Sequence, residues 1–338
     1  MLGVESQTLS PASPRARQQG GRGSLGQSRP RGVDSTSIRR LSAGRWSKAS
    51  LSWEVSFDVV GGPWWHPLGF AASVDPLIEE ANVAVPGAVT DPSTIVTSDV
   101  TIPTANGSIE GYLARPAGNA PRPGVIVIHE AFGPVEHISD LARRFAAAGF
   151  DALAPNLYTR GGAPDPSDFP DVFAKMFGLS DAETVADLEG GAAYLRGLEG
   201  ATGKVGCIGF CSGGRQTLLF ALSSPAVDAA VDCWGGFIDR ATPDDATTPA
   251  RPAPVVELAD RLAVPLFIVG GAEDENPSPQ VLGDLESRLR AAGKSDVTLR
   301  VFDGVGHAFL ADYRPSYNED AAHELWPLVV NFFQAHLG

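Results

Sequence analysis

From about residue 96 onward, apolar positions follow two alternating rhythms. Val100-Thr-Ile and Ser108-Ile-Glu-Gly-Tyr-Leu-Ala read as two strands around the Asn106-Gly107 turn, a dipeptide suited to hairpins. Pro123-Gly-Val-Ile-Val-Ile-His129 is a short unbroken apolar run, as expected of a strand buried on both faces. Ile138, Leu141, Phe145 and Ala148 then share one helical face, Gly149 supplies the stop, and Asp151-Ala-Leu-Ala-Pro155 begins another strand. The alternation predicts a helix over about 181–197, a strand Lys204–Phe210, a helix over about 212–223 and a strand Ala229–Trp234. It continues with a strand Pro265–Gly270, a helix over about 278–292, a strand Val297–Phe302 and a last helix from Glu319 to His336. Strands separated by helices of this length imply an α/β class with a mostly parallel sheet and helices on both faces. In such sheets the functional residues gather at the carboxyl ends of the strands.

The first 50 residues lack this periodicity. They are rich in Ser, Gly, Pro, Gln and Arg and cannot bury enough apolar surface to offset the entropy of ordering, so a disordered basic extension is expected. It is read as an extension beyond the functional start, a basic tail for a partner surface, or an Arg- and Ser-rich targeting peptide. Residues 51–95 form a transition segment, with Trp53, Trp64 and Trp65 as candidate anchors, and residues 96–338 form the folded domain.

Charge follows the same division. Nine Arg or Lys in residues 1–50 face only Glu5 and Asp34, a surplus of seven positive charges; the whole chain carries −14, which leaves −21 on the remainder. An acidic domain argues against nucleic acid as a partner. Of three cysteines, Cys207 and Cys233 read as small core hydrophobes, and no pair has zinc-like spacing, so neither disulfide nor metal is expected. That usage fits a reducing cytoplasm, and no apolar run approaches the roughly 18 residues of a membrane helix.

Chemistry concentrates at three strand ends. Gly209-Phe-Cys211-Ser-Gly213 has the G-x-Nu-x-G spacing of a nucleophile elbow, placed between a buried strand and a helix. Such a turn strains the nucleophile, and small flanking residues let strand and helix approach. The helix behind Cys211 directs its positive end at the sulfur, which favours a thiolate, and the Ser212 N–H becomes a candidate oxyanion donor. Ser212 itself is a rival nucleophile one residue off the apex.

A nucleophile needs a base, and the base an orienting carboxylate. His307 follows the last strand in a Gly-containing loop, and Asp274 follows the strand before it, with Glu273 as the alternative acid. The order nucleophile, acid, histidine is that of the α/β-hydrolase fold. Packing or exposure explains His66, His129, His137, His323 and His336. At the end of the first long parallel strand, Ala131 offers a second oxyanion N–H. Its neighbour Glu130 is either half of an ion pair with an arginine from a nearby loop or a carboxylate able to take the thiol proton.

With these motifs in hand, residues 96–337 resemble the dienelactone hydrolase family. The resemblance is carried by Ile128-His-Glu130-Ala-Phe-Gly, Ala154-Pro-Asn-Leu-Tyr158, Gly209-Phe-Cys211-Ser-Gly-Gly, Gly271-Ala-Glu-Asp274, Gly306-His307-Ala-Phe309, Tyr317 and Ala-Ala-x-x-x-Trp326. It implies metal- and cofactor-free hydrolysis of an ester or lactone by Cys211, His307 and Asp274, with Glu130 helping to generate the thiolate. The partner implied is a small-molecule substrate, on a monomer or small homo-oligomer. Family members carry an arginine shortly after His-x-Phe; here the stretch reads Leu310-Ala311-Asp312, and the nearest arginine is Arg314. No arginine lies between Gly161 and Ala193, where Lys175 is the one cation. Tyr158, Arg160 and Arg314 are therefore the candidate substrate-binding residues. The competing reading is a non-catalytic binding or regulatory protein that keeps the fold.

Overall fold

The computed structural model describes residues 85–239 and 248–338. The expected disorder of residues 1–50 and the anchoring roles of Trp53, Trp64 and Trp65 fall outside the described residues. The strands are β1 (Ile95–Thr104), β2 (Gly107–Pro116), β3 (Arg122–Ile128), β4 (Asp151–Pro155), β5 (Ala201–Phe210), β6 (Ala229–Cys233), β7 (Leu266–Gly271) and β8 (Val297–Phe302). The helices are α1 (Glu136–Ala147), α2 (Phe169–Gly178), α3 (Asp181–Arg196), α4 (Ser212–Ser223), α5 (Pro279–Ala291) and α6 (Glu319–Leu337).

The strands form one sheet in the order β1-β2-β4-β3-β5-β6-β7-β8. The β1–β2 and β2–β4 pairs are antiparallel, and β3 through β8 pair in parallel. Period-two alternation divides the core into two layers. On β3, Val125 and Val127 join α1 and α6 through Ile138, Phe145 and Phe333, whereas Ile126 and Ile128 join α3, α4 and α5 through Leu188, Leu218 and Leu285. All five of β3's last residues are buried, which is why its sequence is apolar without a break. This is the expected α/β-hydrolase architecture, a mostly parallel sheet covered on both faces.

Two strand boundaries and one helix differ from expectation for physical reasons. β1 reaches Ile95 because the antiparallel ladder with β2 runs through exposed polar positions that carry no apolar signal. β5 begins at Ala201, since backbone pairing with Arg122 carries it past exposed Thr202 and Lys204. α2 has no counterpart in the sequence reading. Its signals are nonetheless local: Asp168 caps it by accepting from the Asp171 N–H, Pro170 lies in its first turn, and Gly178 ends it.

Candidate active site

The site lies at the carboxyl edge of the parallel strands. Cys211 joins central β5 to α4 with φ 56° and ψ −116°, a conformation costly for any residue with a Cβ. The turn is held by the Cys211 N–H donating to the Cys233 carbonyl at 3.0 Å. The flanking glycines are obligatory. A Cβ on Gly209 would stand 2.1 Å from the Gly213 carbonyl oxygen, and one on Gly213 would stand 2.4 Å from the Ile128 oxygen, both rigid backbone.

α2, α3, α5 and α6 each start with a side-chain oxygen bound to a first-turn amide, from Asp168, Ser180, Ser278 and Asn318. α4 does not; Cys211 occupies its N-cap without a side-chain bond. Its leading amides are thereby left to face the space above the sulfur. Among the described residues, neither the Ser212 nor the Ala131 amide donates to another protein group.

His307 Nδ1 lies 2.8 Å from Asp274 Oδ2. Asp274 is buried, and its other oxygen accepts from the Asn276 N–H at 2.9 Å, so its orientation is fixed. Glu273 is exposed, and its backbone N–H donates to the Val305 carbonyl; the carboxylate in contact with His307 is that of Asp274. The other side of the His307 ring meets Cys211. Burial opposes a charge on the ring, but the facing Cys211 sulfur and the Asp274 hydrogen bond outweigh it and push the pKa up to about 10. The His307 side chain keeps 29% of its surface exposed, which leaves it accessible to a small molecule.

Cys207 and Cys233 contrast with this. Both are fully buried, and burial raises both thiols well above the ordinary range. They are the inert core residues expected.

The Ala131 loop is secured from below by His129. The Leu157 N–H donates to its Nε2 at 3.2 Å, so Nδ1 carries the proton and donates to the Glu130 carbonyl at 2.7 Å. Burial lowers this ring's pKa to about 4 and keeps it neutral. Tyr158 adds a second tie, donating its hydroxyl to the Ala131 carbonyl at 3.0 Å.

Glu130 is 1% exposed and ion-paired with Arg314 at 3.2 Å; it also accepts from the Tyr313 hydroxyl at 2.6 Å. Arg314 therefore meets Glu130 across 184 positions of chain and stacks over Phe132. Arg160 points elsewhere: it is ion-paired to buried Asp187 beside a cavity of about 310 Å³ that Tyr158 and Lys175 also line. Sequence reasoning missed Tyr313, α2 and Arg251. Arg251 donates to the Met176 carbonyl of α2 and stacks over Phe177; burial and nearby Arg215 lower its pKa to about 10. Only a stacked arginine's neighbours in space, not in sequence, could have signalled it.

No helix among the described residues is long and apolar enough to cross a membrane, and none of their His, Cys, Asp and Glu side chains form a group able to hold a metal ion.

Residues 109–337 match the model of the dienelactone hydrolase family. A protein of Methylorubrum extorquens named "Putative carboxymethylenebutenolidase" is 34% identical over 271 residues, covering 79% of this chain and 89% of its own. A protein of the same name from Escherichia coli K12 is 35% identical over 276 residues, covering 80% and 96%. The crystal structure titled "Putative Dienelactone Hydrolase" from Klebsiella pneumoniae is 34% identical, with a TM-score of 0.65, covering 71% of this chain and 98% of that one.

Proposed function

The chain belongs to the dienelactone hydrolase family, and from that premise we propose that it cleaves small carboxylic esters or lactones with a Cys211–His307–Asp274 triad through a thioester intermediate. The observation that carries this reading is the single line of contacts from Asp274 Oδ2 through the His307 ring to a sulfur held at φ 56°.

Each step balances on these groups. The Cys211 sulfur attacks the carbonyl carbon, and the Ser212 and Ala131 amides receive the resulting oxyanion. As the tetrahedral adduct collapses, the C–O bond breaks and the leaving oxygen takes the proton held at His307. An ester releases its alcohol; a lactone opens and keeps it tethered. Water then gives a proton to the now neutral ring and attacks the thioester carbonyl. Collapse of the second adduct frees the acid and restores the sulfur beside a protonated His307. Asp274 holds the ring's tautomer throughout.

In the state described, both Glu130 oxygens are engaged, and the carboxylate serves as counter-ion to Arg314. The proton balance of the cycle closes on His307 without it. A contribution of Glu130 to thiolate formation requires release from Tyr313 and Arg314 when substrate enters.

Hydrolysis of p-nitrophenyl acetate and of a lactone panel by wild type and Cys211→Ala tests the assignment. Turnover should vanish in the variant while its circular dichroism stays that of the wild type. Undiminished rates would refute the triad. Inactivity of the wild type on every ester and lactone would favour a binding protein that keeps the fold.

A further inference from the structure

We propose that the mouth of this site holds an aromatic group carried by the substrate, and that α2 is the wall that recognises it. The proposal rests on the ester-cleaving reading above and names the substrate class for that site.

Phe169, Val172, Phe173, Met176 and Phe177 recur at the spacing of one helical face. That face turns toward the reaction centre: Val172 and Met176 are buried in one cluster with Ala131, the proposed oxyanion donor, and Phe132 and Phe173 pack against them. An apolar face turned inward should be covered along its length, yet its two ends stay open. Phe169 is 51% and Phe177 41% exposed. The fold provides more apolar wall here than it uses.

The rings extend beyond the helix on both sides. Phe132 meets Phe169 edge-on at 6.4 Å, Phe173 stacks on Phe177 at 6.2 Å, and Phe177 meets Phe237 edge-on at 5.0 Å. Phe237 is 40% exposed and held at φ 54°, with its N–H fixed by the Asn276 side chain at 3.2 Å. A bulky residue at positive φ is strained, and folding gains little from a ring left so open. Two guanidiniums brace the arc from its ends, Arg314 over Phe132 at 5.4 Å and Arg251 over Phe177 at 4.9 Å.

Exposed rings at both ends of one apolar face, with partly buried Phe132 and Phe173 between them, mark a binding surface rather than scattered surface residues. The occupant follows from where the arc begins. Phe132 directly follows the proposed oxyanion donor, so whatever lies on the rings is within reach of a carbonyl held at Cys211. A flat group on the acid or the alcohol side of that carbonyl matches walls made of ring faces and edges.

The test compares kcat/KM for vinyl phenylacetate against vinyl acetate, and for benzyl acetate against ethyl acetate. Wild type should prefer the aromatic partner about tenfold in at least one pair, since an aromatic contact contributes about two- to tenfold. Phe169→Leu/Phe177→Leu, which keeps apolar bulk and fold, should cut that preference about threefold; Phe169→Ser/Phe177→Ser should cut it further. No preference in either pair, or one that neither variant changes, overturns the proposal. So does a change in sedimentation on ring removal with selectivity intact, which would make the face a contact between copies.

A second measurement needs no turnover. Alkylation of Cys211 by N-benzyl-iodoacetamide against iodoacetamide, read by mass spectrometry, should show the same ring-dependent ratio, with buried Cys207 and Cys233 as internal controls. If that ratio follows the rings while no ester is cleaved, the aromatic site stands and the hydrolase reading falls.

Discussion

Asp274→Asn should damage the enzyme more than Asp274→Ala does, and the geometry says why. Asp274 accepts two hydrogen bonds: from the Asn276 N–H at 2.9 Å through Oδ1, and from His307 Nδ1 at 2.8 Å through Oδ2. An amide at this position has one carbonyl oxygen, and the fixed Asn276 N–H claims it. The NH2 group is then turned toward His307 and donates to Nδ1, which forces the ring proton onto Nε2. A ring so locked cannot take a proton from water or from the thiol. Loss of the correct tautomer costs on the order of 10³–10⁴ in kcat, roughly 4–5.5 kcal/mol of barrier. Alanine removes the orienter but leaves both tautomers open, so its loss should be about tenfold smaller. Steady-state kinetics with p-nitrophenyl acetate on both variants, with thermal melts to confirm folding, would read the order. An asparagine variant as active as the alanine variant, or less than tenfold impaired, would refute the reasoning.

Two further outcomes concern protons. The His307 pKa of about 10 belongs to the free enzyme, so kcat/KM should fall on the alkaline side near pH 10 as the ring loses the proton that the leaving oxygen needs. In the thioester the sulfur no longer supports that proton, so kcat should decline instead on the acid side as the ring becomes protonated; a pH-stat lactone assay would check both, and an alkaline limb near pH 7 in kcat/KM would contradict the raised His307. Asp232, fully buried beneath the elbow, is pushed by burial from 3.8 up to about 7 despite an N–H bond from Gly235. A carboxyl raised in the fold contributes stability that is complete below pH 3.8 and lost as pH rises through about 7. That loss amounts to roughly 4 kcal/mol. Urea melts should therefore show Asp232→Asn gaining on wild type between pH 5 and pH 8, and a constant difference across that range would refute it.

The legible parts of this protein are those whose signal is local. The elbow occupies five consecutive residues, and a Cβ on either of its glycines would stand 2.1–2.4 Å from backbone oxygen, so the spacing follows from hard contact. Asp274 and His307 could be placed because every parallel strand delivers its carboxyl end to one edge, and each follows a strand readable by its apolar run. The pairing of Glu130 with Tyr313 and Arg314 spans 183 and 184 residues, and nothing near Glu130 states which loop arrives there. The pairing of Arg160 with Asp187 was not legible in the sequence, because that partner lies on α3, beyond the whole of α2. α2 escaped because the stretch was read for cations, while its Asp168 cap and its phenylalanine spacing were plain.

The anchoring of Asp312 on α1 has a structural reason in the sheet order. β8 stands four strands from β3, about 19 Å at ordinary strand spacing. The segment after β8 must cross that width to bring His307 over Cys211 and Tyr313 and Arg314 to Glu130. Ala308, at φ 62°, turns the chain just after the base. Asp312 fixes the far end on α1: it accepts from Arg144 at 2.6 Å and pairs with His137 Nδ1 at 2.8 Å. Burial works against its charge, but His137 and Arg144 hold its pKa down to about 2, so the anchor remains ionised at any working pH. An arginine at this position would meet Arg144 instead of pairing with it. Arg314, the cation that pairs with Glu130, lies two residues further on. One crossing segment thus delivers the base and the arginine that pairs with Glu130, and an ion pair with α1 holds that segment in place.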